Sequence, residues 1–191
     1  MRPRGVDEPA RTIQTERLGL REPEETDVEA LRDYHRRNAE RFARFDAVPG
    51  DEPAVHRDWV IAHRRARWDG QPVAFLAFDR ASTALAGLVA YSGFDADLSR
   101  AMINYSIDGA YEGKGYAFEM VSRAVRYAFE ELGLASVAAQ VLVGNERSLR
   151  LVDRLGSVVV ARSPVIPGVE HLLRPHIIAV LERTRFGSAQ Q

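Results

Sequence analysis

A chain of 191 residues with a net charge of −1 and 46% hydrophobic residues suits one compact domain with a sizeable core. The balanced charge argues against a general nucleic-acid or anionic-membrane binder, and the absence of cysteine excludes disulfides, zinc–thiolate sites and cysteine nucleophiles. The polar opening Met1–Glu16 lacks the apolar stretch of a secretory signal. No apolar run approaches the roughly 18 residues of a membrane span, so a cytoplasmic protein that binds neither membrane nor nucleic acid is expected.

In chain order, residues 1–14 read as a flexible segment, and Arg17–Glu22 alternates polar and apolar as a half-buried strand does. Thr26 and Glu29 have capping-box spacing ahead of a helix from Val28 to about Asn38, with Val28, Leu31 and Tyr34 on one face. Asp51, Glu52 and Pro53 start a second helix, along which Val55, Trp59, Ala62 and Ala66 recur as a stripe and Gly70 is a plausible stop. Three strands are expected next, at Val73–Phe78, Ala84–Phe94 and Ala101–Ile107, separated by turn-rich segments.

Tyr116–Leu132 carries the strongest helical pattern, with Ala117, Val121, Ala124, Val125, Ala128 and Leu132 as its apolar stripe and Gly133 at its end. A strand at Ser136–Val143, a short helix at Glu146–Leu155 and strands at Val158–Arg162 and His176–Glu182 follow. Adjacent strands interrupted by single helices predict an α/β fold, a mixed and mostly antiparallel sheet flanked by about four helices. The expected domain runs over 15–185, with a flexible tail at 186–191.

Tyr111-Glu112-Gly113-Lys114-Gly115-Tyr116-Ala117 lies between a strand and the strongest helix, and Lys114 is the only lysine in the chain. Backbone amides and the positive end of the helix dipole stabilise phosphate at such a junction, and glycines let the backbone approach it closely. The spacing matches neither a Walker loop nor a dinucleotide fingerprint, and a Gly-x-Gly turn alone is most often a simple tight turn.

Its context adds weight. Thr15-Glu16-Arg17-Leu18-Gly19-Leu20-Arg21 and Asn104-Tyr105-Ser106-Ile107-Asp108 precede it, and Asn145-Glu146-Arg147-Ser148-Leu149-Arg150-Leu151 follows. In this ordered combination the chain, over Thr15 to Arg185, resembles the GNAT superfamily of acetyl-coenzyme A-dependent N-acetyltransferases. More narrowly, it resembles the Rim-type branch that acts on ribosomal-protein N-termini. The resemblance implies that amides around Gly113, Lys114, Gly115, Tyr116 and Ala117 cradle the pyrophosphate of coenzyme A. It implies that the backbone of Tyr105, Ser106 and Ile107 binds the pantetheine arm, that Asn145 contacts it, and that Ser148 protonates the departing thiolate. Read from the residues alone, Asn145 is a good helix N-cap and Ser148 an ordinary first-turn residue.

The acid–base half of the family pattern departs from expectation. The strand position that often holds a glutamate is Met102, the branch's loop acid falls near Val165, the tyrosine acid of other relatives maps to Val152, and the usual Gly-Phe is Gly156-Ser157. His171 is a candidate substitute base, with Glu170, His176 and Asp95 as further candidates. Alternatively the acceptor is an amine of low pKa that needs no strong base. Phe42, Phe45 and Trp59 either wall an acceptor cleft or belong to the core, and Arg64, Arg65 and Arg67 form a local basic patch.

The expected activity is direct acetyl transfer from acetyl-coenzyme A, without a metal, to a primary amine, the N-terminal α-amine of a peptide or protein. The alternatives are a small-molecule amine, such as an antibiotic or polyamine, and a catalytically silent acyl-coenzyme A-binding protein. A monomer or homodimer is compatible with the sequence.

Overall fold

The computed structural model describes residues 12–45, 48–65, 67–68, 71–95, 99–163 and 175–188. The strands are β1 (Thr12–Gln14), β2 (Leu18–Arg21), β3 (Arg67–Trp68), β4 (Gln71–Pro72), β5 (Ala74–Asp79), β6 (Leu85–Ser92), β7 (Arg100–Ile107), β8 (Ser136–Leu142), β9 (Val158–Ser163) and β10 (His176–Glu182). The helices are α1 (Val28–Phe42), α2 (Pro53–Arg65), α3 (Tyr116–Glu130), α4 (Glu146–Arg154) and α5 (Arg183–Ser188). Eight strands hydrogen-bond in the order β1-β2-β5-β6-β7-β8-β10-β9, while β3 and β4 form a separate short ladder. The β7–β8 pair is parallel, and β1–β2, β2–β5, β5–β6, β8–β10 and β10–β9 are antiparallel. The sheet is therefore mixed and mostly antiparallel, as the element order predicts.

The chain forms two compact units that alternate along the sequence. The first comprises Met1–Arg44, Val48–Ala90 and Tyr105–Ala124. Its core joins Val28, Leu31 and Tyr34 of α1 to Val60 of α2, Leu76 of β5 and Leu85 of β6, with Phe42, Trp59, Phe78 and Leu88 packed half-buried against them. The apolar face expected of α1 is thus the buried one, and two of the three aromatics expected either in a cleft or in the core pack on the core. Phe45 is 37% exposed.

Three local expectations in this unit are corrected. Thr12–Gln14 belong to β1, paired with Gly19–Arg21, and not to a flexible segment. A 3₁₀ turn at Glu25–Asp27 precedes α1, and the Asp27 carboxylate accepts the Glu24 N–H at 2.7 Å and the Arg21 guanidinium, while Thr26 and Glu29 are exposed. On α2, Val55 is 40% exposed and Ala62 is exposed, and the residues turned inward are His56 and Val60. His56 is acceptable inside because its Nε2 meets Nδ1 of His35 at 3.1 Å and its Nδ1 meets the Glu52 carbonyl. Ala66 and Gly70 lie outside the described residues.

The second unit comprises Phe45–Ala47, Tyr91–Asn104 and Val125–Gln191. Its apolar residues include Phe129, Leu132 and Leu134, Val137, Ala139 and Val141 of β8, Leu151 and Val152 of α4, and Ile177, Val180 and Leu181 of β10. Residues 186–188 depart from the flexible tail expected there, because they complete α5. Phe186 is 7% exposed, with its ring 5.6 Å from that of Phe129 in an edge-on contact. Among the described residues no helix is long and apolar enough to cross a membrane.

Candidate active site

The end of β7 is the first component. Its parallel register with β8 covers Arg100–Met102 against Ser136–Ala138, and β7 then runs on to Ile107. Tyr105, Ser106 and Ile107 are half-buried there. The Ser106 hydroxyl meets the Tyr34 hydroxyl at 2.7 Å, and burial pushes the Tyr34 phenol upward. A side chain on Gly87 of β6 would have its Cβ 2.7 Å from the Ser106 carbonyl oxygen, so that position admits only hydrogen. Immediately after β7, buried Asp108 accepts from the Ala110 N–H at 2.8 Å, from the Asn38 side-chain amide at 3.0 Å and from Arg37. Burial alone would raise its carboxyl, and these donors hold it below the usual range. Asn38 also accepts the Gly109 N–H at 3.0 Å, and Arg41 donates to both the Ile107 carbonyl and the Glu112 carboxylate.

The glycine turn follows directly. Gly113 has φ +71° and Gly115 has φ +84°, conformations that L side chains rarely adopt. Gly113, Lys114 and Gly115 are exposed, and a Cβ at Gly113 would meet nothing within 4 Å, so the outer side of the turn is open. Tyr116 and Ala117 begin α3, whose first turn leaves N–H groups without intrahelical acceptors. Lys114 Nζ donates to the Ala110 carbonyl at 2.8 Å. Tyr116 donates its hydroxyl to Asp79 at 3.1 Å, and Arg17 donates to the Lys114 carbonyl at 2.9 Å. Of the five loop residues singled out from sequence, Lys114 and Tyr116 are thus tied by hydrogen bonds to Ala110, Arg17 and Asp79. Open space, adjacent amides and a helix N-terminus fit a diphosphate.

In the second unit, the Asn145 side-chain oxygen accepts the Ser148 N–H at 3.2 Å, which makes Asn145 the N-cap of α4. Its amide NH2 is not used by that cap. Ser148 is half-buried one turn into α4, and Val152 is 6% exposed. Among the candidate bases, Asp95 is committed to a turn, accepting the Ser99 N–H at 2.9 Å and the Arg100 N–H at 3.1 Å. His176 is 4% exposed, pairs in register with Leu142 and has no hydrogen-bond partner at Nδ1 among the described residues. The Leu142 carbonyl accepts the Asn145 N–H at 3.0 Å, so His176 flanks the turn that opens α4. His171, Glu170 and Val165 lie outside the described residues. Met102 is half-buried. Arg64 of the basic patch pairs with Glu25 at 2.9 Å. Among the described residues no three His, Asp or Glu side chains group so as to hold a metal ion.

The family model for the acetyltransferase (GNAT) domain matches residues 17–158. This chain belongs to the GNAT acetyltransferase family. It is an N-acetyltransferase, and its curated relatives include YdaF of Bacillus subtilis (strain 168), provisionally named a ribosomal N-acetyltransferase. That relative is 30% identical over 145 residues, which cover 74% of this chain and 78% of YdaF. The ribosomal-protein-S5-alanine acetyltransferase of Vibrio fischeri has the same fold, with a TM-score of 0.82 at 18% identity over 92% of this chain and 98% of its own. So has RimL, the ribosomal L7/L12 α-N-protein acetyltransferase, in its complex with coenzyme A, with a TM-score of 0.77 at 17% identity over 90% and 98%.

Sequence reasoning identified the turn of this acetyltransferase but not what holds it. Arg17, Asn38, Arg41, Asp79 and Glu119 are ordinary surface types in sequence. Their role emerges only when segments as far apart as Arg17 and Glu119 meet. The one available signal was Arg17, which stands inside the opening motif.

Proposed function

We propose that this acetyltransferase takes acetyl-coenzyme A and transfers the acetyl group directly to the N-terminal α-amine of a peptide or protein, a ribosomal protein being the leading class. One observation carries the first half: a glycine turn at positive φ, open on its outer side, opens α3. Residues 113–117 would hold the pyrophosphate through backbone N–H groups, the β7 end at Tyr105, Ser106 and Ile107 would take the pantetheine amides, and Asn145 would contact the same arm. Bound there, the thioester supplies an acyl group activated for transfer.

The chain's own residues then have two proton tasks. The amine must reach the reaction neutral, and the sulfur that leaves must gain a proton as the C–N bond forms and the C–S bond breaks. Ser148 would donate that proton, and the proton that the nitrogen sheds as it becomes an amide would return through water to the Ser148 oxygen, leaving the serine as it began. A peptide α-amine titrates near 7.7–8.0 and has a substantial neutral fraction near neutral pH, whereas a lysine side chain near 10.4 does not. An acceptor of low pKa therefore suits a chain with Met102 and Val165 at the usual acidic positions and Asp95 committed to a turn. With no cysteine in the chain, no acyl thioester can form on these residues, which supports direct transfer in a ternary complex. The names of YdaF, RimL and the S5-alanine enzyme support a protein acceptor, and a cytoplasmic reaction is part of the same proposal.

The test is thiol release from acetyl-coenzyme A with a panel of amines, with mass spectrometry of the products. Acetylation of free peptide N-termini but not of an Nα-blocked lysine peptide is the expected result. Release with a polyamine or an amino-sugar antibiotic, and none with peptides, would replace the acceptor by a small molecule.

A further inference from the structure

Arg17, in the turn between β1 and β2, makes more contacts to the start of α3 than any role as a strand residue requires. Its Nε and Nη2 each lie 2.6 Å from Glu119 Oε2, and its own N–H donates to Glu119 Oε1 at 2.8 Å. Its Nη1 donates to the Lys114 carbonyl at 2.9 Å, and its guanidinium lies 4.1 Å from the centre of the Tyr116 ring. The segment that carries it is tied down in turn, because Arg80 Nη1 donates to the carbonyls of Thr15 and Glu16 and the Arg80 N–H to that of Arg17.

Two consequences bear on an anion at the turn. In a planar trans peptide the carbonyl and the following N–H point in opposite directions, so fixing the Lys114 carbonyl toward Arg17 aims the Gly115 N–H away from it. Glu119 is in the first turn of α3, where a bare carboxylate would oppose a second anion at the same helix end, and the guanidinium neutralises it. From these contacts we infer that Arg17 is the positioning residue of the diphosphate loop: it sets the orientation of the Lys114–Gly115 peptide and cancels the charge of Glu119. The inference rests on the coenzyme A reading given above.

The experiment compares acetyl-coenzyme A with S-acetylpantetheine, which has the same reacting end but no diphosphate. Arg17→Ala is expected to weaken acetyl-coenzyme A binding in calorimetric titration at least tenfold, while turnover of S-acetylpantetheine stays at the wild-type rate. Arg17→Lys should recover part of the loss, since a single ammonium cannot hold the carboxylate and the carbonyl with the geometry of a planar fork. Glu119→Gln added to Arg17→Ala should also recover part, because the uncompensated charge is then gone. Unchanged coenzyme A affinity in Arg17→Ala, or a parallel loss with both donors, would overturn the role of Arg17. Failure of the wild-type protein to bind acetyl-coenzyme A would remove the cofactor reading along with it.

Discussion

Tyr34 in α1 and Ser106 near the end of β7 share a hydrogen bond of 2.7 Å between their hydroxyls, in a place where the Tyr34 side chain is wholly buried. Tyr34→Phe keeps the ring in the core and deletes that bond. The expected cost is about 1 kcal/mol, or a fall in Tm of roughly 2–4 °C for a chain of this size. Ser106→Ala should cost a similar amount, and the double variant should cost less than the sum, because each single change already removes the shared bond. Thermal denaturation of the four proteins gives the cycle, and strict additivity would count against the pairing.

His35 and His56 link α1 to α2 across 3.1 Å. Burial, and then the charge of His56, lower His35 from 6.5 to about 4. The unfolded chain therefore binds this proton first as the pH falls. Stability from this group is complete above about 6.5 and declines as the pH drops toward about 4. Denaturant midpoints of the wild-type protein should fall between pH 7.5 and 5, and His35→Gln should fall less over the same interval. Parallel curves for the two proteins would remove His35 as the source.

Gly115 combines a backbone demand with a charge demand. At φ +84° any L side chain is strained, by about 1–2 kcal/mol. Gly115→Ala and Gly115→Glu should share that loss of thermal stability. Only the glutamate also sets a negative charge against the proposed phosphate, so calorimetry should show weakened acetyl-coenzyme A binding in the first and none in the second. Equal affinities in the two variants would refute the phosphate cradle.

Ser148→Ala leaves the Ser148 N–H free to bond Asn145 and should not disturb the α4 cap. If the hydroxyl delivers the proton to the leaving sulfur, kcat should fall by about 10²–10⁴-fold, the scale of general acid catalysis, with acetyl-coenzyme A affinity unchanged. A wild-type rate would strike Ser148 from the mechanism.

The element order and the turn were legible because both rest on local signals: apolar periodicity in α3, and paired glycines before a helix. The inward face of α2 is centred on His56 and Val60, with Trp59 of the expected stripe packed beside them and Val55 turned out. A histidine reads as surface in sequence, and nothing local reports that His56 has His35 as a buried partner. The strand expected over Val158–Arg162 is present, but its place is not legible locally: Val158, Val159 and Val160 are 39%, 51% and 59% exposed because β9 ends the sheet. Helix α5 was missed because Arg183–Ser188 carries one large apolar residue and hence no period, and its order comes from Phe186 meeting Phe129. At the site, the glycines were visible and their supports were not, since those contacts join residues dozens of positions apart.

Because the turn takes its form from Arg17, Asn38, Arg41 and Asp79, it exists only when the first unit is folded. A ligand seated on it selects the folded chain over every unfolded one. At a hundred times its dissociation constant such a ligand adds about 2.7 kcal/mol of stability. Under the proposed function, the survival of this enzyme in the cell would track the supply of its acyl donor: a starved cell would hold a more fragile protein and clear it sooner.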